Sequence, residues 1–276
     1  METFSSKTVL VNGKTVRYYT NRKKTGAPIV LLHGFMSDAT SLIPFAEALA
    51  TDRPLIIPDL PGFGGSDMPE DNQGLRWYVD WLKEFLTVLK IDRPSAIVGY
   101  SFGAYIAVLY CCLFPKMAGE KLILLTPVVK INWQVRLYGN GFRLAAIRAK
   151  RLAERTYLLQ HDMTTRYLWK NRHPGVRAQL MERRRGELEY LNPELVLRLF
   201  SEFLALNLLD YAKKLKTPVI IVMASKDNVA ANSATRAFAD RVKGKKTQVI
   251  EIRHAGHLLP IEEPHLLGTS VKNYFA

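Results

Sequence analysis

The sequence predicts an α/β chain, with a mostly parallel sheet, covering helices and one helical insertion. Three observations predict it. Apolar runs of four to six residues alternate with longer helical runs along most of the 276 residues. Several of these runs are continuous rather than alternating, as expected of strands buried on both faces. From about Pro127 to Asp210 the alternation stops, and the chain reads as several helices rich in arginine and aromatic residues.

The elements follow in order. Thr8–Val11 and Thr15–Tyr19 flank Asn12-Gly13, a turn dipeptide that predicts a β-hairpin. Pro28-Ile29-Val30-Leu31-Leu32-His33 reads as a buried strand, residues 40–50 as a helix, and Pro54–Pro58 as the next strand. Leu75, Tyr78, Val79, Leu82, Phe85, Leu86 and Leu89 recur at helical spacing over residues 75–90. A strand at Ser95–Val98, a helix at Ala104–Tyr110 and a strand at Lys121–Leu125 come next. Beyond the insertion the pattern resumes with a strand at Pro218–Met223, a helix near 232–242, a strand at Gln248–Ile252 and a terminal helix over 261–275.

Composition bounds the function classes. With 48% hydrophobic and 23% charged residues, the chain has material for a sizeable core. No apolar run reaches the ~18 residues of a membrane span, and the first residues lack a basic region followed by an apolar stretch. The only cysteines, Cys111 and Cys112, are adjacent on a predicted helix and poorly placed for a disulfide. They read as reduced, buried thiols in a cytoplasmic protein rather than as nucleophiles. The formal net charge of +14 could attract anionic partners. No zinc-ligand spacing, RNA-binding motif or basic tail is present, so nucleic acid is not expected.

Chemistry is carried by Gly99-Tyr100-Ser101-Phe102-Gly103. This pattern sits between a strand and a helix, the context of a serine on a sharp, strained turn. Side chains at the flanking glycine positions would collide there. A serine hydroxyl needs a base within reach and a carboxylate to orient that base. His257 follows the last strand and Asp227 the one before it, so both reach the C-terminal edge of a parallel sheet with Ser101. His254 is expected to point into the strand end as a structural residue. An oxyanion needs fixed backbone donors; Phe102 supplies one N–H, and Phe35 of His33-Gly34-Phe35 supplies the second. His33 reads as a brace of that loop rather than as a proton carrier.

These residues resemble the α/β-hydrolase superfamily, specifically its capped serine members. The matching pieces are His33-Gly34-Phe35, Asp59-Leu60-Pro61-Gly62-Phe63-Gly64-Gly65-Ser66, Gly99–Gly103, Ser225-Lys226-Asp227, and Gly256-His257 with Glu262-Glu263-Pro264. The resemblance implies a sheet of about eight strands and a core formed by residues 1–126 and 211–276. Residues 127–210 would be a helical cap inserted after strand six. It also implies an acyl-enzyme mechanism with no metal or organic cofactor, acting on a small-molecule ester. Ala224 stands where many relatives have glycine, and no proline follows Asp227 closely. Serine at the nucleophile position disfavours epoxide hydrolysis and dehalogenation. The His-Gly-Gly-Pro-Gly run of proline iminopeptidases is absent, as is the His-Gly-Gly-Gly run of hormone-sensitive lipases.

Three further readings share these residues. The same triad could cleave a C–C bond, as in meta-cleavage-product hydrolases. The chain could also be a ligand-binding member of the fold without turnover. Finally, the insertion carries 15 Lys/Arg against 8 Asp/Glu, a net +7 (15 − 8) that includes Arg143, Arg148, Arg151, Arg155 and Arg183-Arg184-Arg185. An acidic carrier protein or an anionic acyl substrate is a candidate partner for that cap. Its aromatic residues Trp133, Tyr138, Phe142, Tyr157, Tyr167 and Trp169 could line a pocket or form the cap's own core.

Overall fold

A computed structural model describes residues 4–23, 25–49, 51–70, 73–133, 136–137, 192–242 and 247–275, apart from the side chains of residues 193 and 197. Eight strands form one sheet in the order β1-β2-β4-β3-β5-β6-β7-β8. They are β1 (Ser5–Val11), β2 (Lys14–Thr20), β3 (Ile29–Leu32), β4 (Leu55–Pro58), β5 (Ala96–Tyr100), β6 (Lys121–Leu125), β7 (Val219–Ala224) and β8 (Thr247–Ile252). The β1–β2 and β2–β4 pairs are antiparallel, and all the others are parallel. The opening hairpin turns at Asn12 and Gly13, with φ 50° and 77°. Two successive positive φ values are what a two-residue hairpin of matching twist requires, so asparagine and glycine are the residues suited to it.

Helices cover both faces. The described ones are α1 (Ile43–Ala48), α2 (Trp77–Val88), α3 (Phe102–Leu113), α4 (Pro193–Leu204), α5 (Leu209–Ala212), α6 (Asn232–Arg241), α7 (Leu259–Glu262) and α8 (Pro264–Val271). Strand alternation sorts the core into two layers. Val30, Leu32, Ile97, Leu122, Leu124, Val219 and Ile221 pack with α2, α3 and α4. Ile29, Leu31, Val98, Ile123, Leu125, Ile220 and Val222 pack on the other face with α1, α7 and α8. β3, β5 and β7 are buried along their whole lengths, which is why their sequences read as continuous apolar runs.

The predicted terminal helix is divided. α7 ends at Glu262, α8 begins at Pro264, and a short 3-10 turn follows over Lys272–Tyr274. Pro264 pushes the residue before it out of helical conformation, and Glu263 has φ −138° and ψ 52°.

The chain leaves the sheet after β6 and returns at β7, so the interruption falls where the sequence places it. Among the described residues of the 127–210 stretch, α4 is helical, and α5 runs across its end at Leu209–Ala212. Asn192 caps α4 by accepting from the N–H groups of Glu194 and Leu195 at 2.9 and 3.0 Å. Trp133 is largely exposed, so it does not contribute to a packed interior. Tyr138, Phe142, Tyr157, Tyr167, Trp169 and the arginines from Arg143 to Arg185 lie outside the described residues.

Both thiols are free. Burial pushes Cys111 up to about 12 and Cys112 up to about 11, so at neutral pH neither carries an appreciable thiolate. Iodoacetamide at pH 8 should leave both unmodified in the native protein and alkylate both after denaturation, as read by intact mass. Rapid native alkylation would contradict this account of Cys112.

Candidate active site

Ser101 occupies the turn between β5 and α3 with φ 52° and ψ −107°, a backbone region that costs a non-glycine residue energy. The flanking glycines make this turn possible. A Cβ on Gly99 would lie 2.5 Å from the Gly103 carbonyl oxygen, and one on Gly103 would overlap the Leu32 carbonyl. The Ser101 N–H donates to Leu125 O at 3.1 Å, tying the turn to the end of β6.

His257 lies in the loop between β8 and α7. Its Nε2 is 2.9 Å from Ser101 Oγ, and its Nδ1 is 2.9 Å from Asp227 Oδ2. With the Nδ1 proton directed at the carboxylate, Nε2 is left to accept from the serine hydroxyl. All three side chains are nearly buried, with Ser101 5% and His257 7% exposed and the Asp227 side chain 1%. Two contacts hold the loop. Glu262 accepts from Gly256 N–H at 2.8 Å, and Thr126 Oγ1 donates to His257 O at 3.0 Å.

Asp227 is at once a turn residue and the partner of the histidine. Its Oδ1 accepts from Val229 and Ala230 N–H groups, both at 2.9 Å, which leaves Oδ2 for the imidazole. A proline at either of those positions would remove one of the donors, so the absence of proline there suits this geometry.

Phe35 follows β3 and Phe102 opens α3, and their rings meet edge to face at 5.9 Å and 86°. α4 covers them. Phe203 stacks on Phe35 at 5.2 Å and 13°, with Phe200 near-parallel to it at 6.3 Å and 16°. Glu202 accepts from Leu75 N–H at 2.9 Å and anchors the same helix to the segment before α2. Phe200 and Phe203 were not singled out from the sequence; their only local signal is the amphipathic spacing of α4.

The remaining sequence candidates are also placed. His33 is fully buried and braces its loop: Nε2 accepts from Leu60 N–H at 2.9 Å, and Nδ1 lies 2.8 Å from Gly34 O. His254 does not point into the strand end. It is exposed at a turn with φ 66°, its N–H donating to Ser225 Oγ at 3.0 Å, because the chain turns sharply as β8 ends. Asp59 is completely buried and accepts from Ala39 N–H, Gly65 N–H and Arg17 Nε at 2.8, 2.8 and 2.5 Å.

Burial pushes the His33 imidazole below its ordinary 6.5. The unfolded chain therefore takes up a proton near pH 6.5 that the folded protein refuses until lower pH. The stability contributed by neutral His33 is complete above that value and is lost as pH falls below it. Melting temperature should decline from pH 7 to pH 5, and His33→Gln should flatten the decline; an unchanged slope would remove His33 as its source.

A Ser–His–Asp relay on the C-terminal edge of an eight-stranded, mostly parallel sheet is the arrangement of the hydrolases built on this fold. Residues 29–267 match the Alpha/beta hydrolase family, and the chain belongs to it. It is 23% identical over 287 residues to a proline iminopeptidase of Lactobacillus crispatus (strain ST1), covering 95% of this chain and 94% of that protein. An uncharacterized protein of Mycobacterium tuberculosis (strain ATCC 25618 / H37Rv) is 33% identical over 102 residues. That match spans 37% of this chain and 29% of the relative. Among solved structures, a thermophilic esterase from Thermogutta terrifontis superposes with a TM-score of 0.75 at 22% identity, covering 99% of this chain and 97% of that one; a likeness at that identity concerns the fold.

Proposed function

We propose that this hydrolase cleaves a carboxylic ester of a small molecule through an acyl-enzyme, with Ser101, His257 and Asp227 as its catalytic residues. The observation that carries the reading is the unbroken relay of two 2.9 Å contacts from Ser101 Oγ to Asp227 Oδ2. Ser101 attacks the carbonyl carbon as His257 Nε2 takes the hydroxyl proton, and Asp227 holds the imidazole in the tautomer that can receive it. The Phe35 and Phe102 N–H groups stabilise the oxyanion. His257 then passes the proton to the departing alkoxide. Water, deprotonated by the same nitrogen, attacks the acyl carbon, and the proton returns to Ser101 as the acid leaves.

Residues 127–210 act in this reading as a cap, with α4 as its return helix over Phe35. The ester reading is compatible with the fold that the chain shares with an esterase. The absence of a His-Gly-Gly-Pro-Gly run at residues 33–37 weighs against iminopeptidase activity. The unpaired thiols fit a cytoplasmic setting. A carrier or anionic substrate at the cap would rest on arginines outside the described residues.

A fluorophosphonate probe should label Ser101 stoichiometrically, and p-nitrophenyl esters of graded chain length should be turned over. Absence of labelling in folded protein would favour a ligand-binding role. Turnover confined to vinylogous diketones would replace the ester reading with C–C hydrolysis.

A further inference from the structure

The residue that follows β6 adopts a conformation its own chemistry opposes. Thr126 has φ 38°, where a branched side chain crowds the backbone. It also precedes Pro127, whose ring drives the preceding residue toward extended geometry. Both preferences are overruled at a position only 1% exposed. Strain of this kind persists where the surroundings over-determine it, and it clusters at functional sites.

The surroundings here are specific. Thr126 N–H donates to Val222 O at 2.8 Å, carrying the β6–β7 ladder one residue further, and Leu125 O accepts the Ser101 N–H at 3.1 Å. The Thr126 hydroxyl donates to the carbonyl of His257 at 3.0 Å. Two consecutive residues therefore bond the backbone of Ser101 on one side and that of His257 on the other. Extended backbone at residue 126 would send the side chain out in a different direction.

We infer that Thr126 is a positioning residue whose hydroxyl fixes the height of the His257 imidazole against Ser101, and that its left-handed backbone is what aims that hydroxyl. The inference rests on the roles proposed for Ser101 and His257. It differs from a packing role, because a methyl group in place of the hydroxyl would pack equally well and leave the carbonyl without a donor.

The test compares Thr126→Val, which keeps the branch and deletes the donor, with Thr126→Ser, which keeps the donor. Thr126→Val should lower kcat and the rate of fluorophosphonate inactivation by roughly tenfold, about one lost hydrogen bond, with KM within about twofold. Thr126→Ser should restore both rates. The downfield proton resonance of the His257–Asp227 bond should move in Thr126→Val and return in Thr126→Ser. Thr126→Gly, which accepts the backbone but lacks the donor, should be as slow as Thr126→Val even where it melts higher. Wild-type rates in folded Thr126→Val or Thr126→Gly, or equal slowing in Thr126→Ser, would overturn the inference. Wild-type protein that neither labels nor turns over esters would refute the serine-hydrolase reading instead, with the proton resonance still reporting on Thr126.

Discussion

Ser101→Ala is expected to reduce ester turnover by roughly 10⁴- to 10⁶-fold while leaving the melting temperature nearly unchanged. The size follows from what the variant lacks. His257 and Asp227 keep their contact, and the N–H groups proposed as oxyanion donors are untouched, but the proposed acyl-enzyme has no atom on which to form. What survives is water attack assisted by binding and by the oxyanion donors. The substitution removes one oxygen from a 5% exposed site and leaves the backbone at φ 52°, where alanine is no worse than serine. Steady-state assays with an active-site titration of the wild type measure the effect, since trace contamination would otherwise set the floor. A loss below about a hundredfold would place the nucleophile elsewhere.

The second large effect concerns stability. Asp59→Ala should destabilise the fold by about 3–5 kcal/mol, lowering the melting temperature by about 10 °C for a chain of this size. Asp59 is buried without measurable exposure, and its carboxylate satisfies three donors from separate parts of the chain. Alanine strands the Ala39 and Gly65 N–H groups and leaves Arg17, whose side chain is 29% exposed, without its partner. Gly64 packs directly on the Asp59 carboxyl, where a Cβ would lie 2.5 Å from it, so removing that carboxyl also leaves a gap beside the loop. Asp59→Asn, which keeps an acceptor of the same shape, should cost markedly less. Chemical denaturation of both variants measures the difference, and a cost under 1 kcal/mol for Asp59→Ala would show that water takes over its role.

Much of this was legible in the sequence because the responsible constraints are local. Continuous apolar runs identify strands covered on both faces, and Gly99 and Ser101 share one tight turn whose sterics act within five residues, although Gly103 answers to the distant Leu32 carbonyl. The chain order of Ser101, Asp227 and His257 became informative because each follows a strand, and parallel strands bring their ends to one edge. What stayed hidden depends on contacts between distant residues. Thr126 reaches His257 across 131 positions and Leu75 reaches Glu202 across 127, and no periodicity records such pairs. Phe203 reads as an ordinary amphipathic residue until Phe35 is brought beneath it. The exposed His254 belongs with these, its turn being tied to Ser225 across 29 positions, whereas the break before Pro264 is a local effect of the proline on Glu263.

The pairing of β6 with β7 has a consequence of another kind. Leu122–Leu125 lie in register beside Val219–Val222, so the long stretch between them departs from and rejoins neighbouring strands, and nothing in the sheet has to shift with its length. Evolution could therefore exchange it for a stretch of another length without altering the register of either strand. A library engineer could do the same, provided the spliced segment ends in a helix that sets an aromatic residue over Phe35, as Phe203 does. The joint at these two strands is where a segment of different length can be spliced without renegotiating the fold.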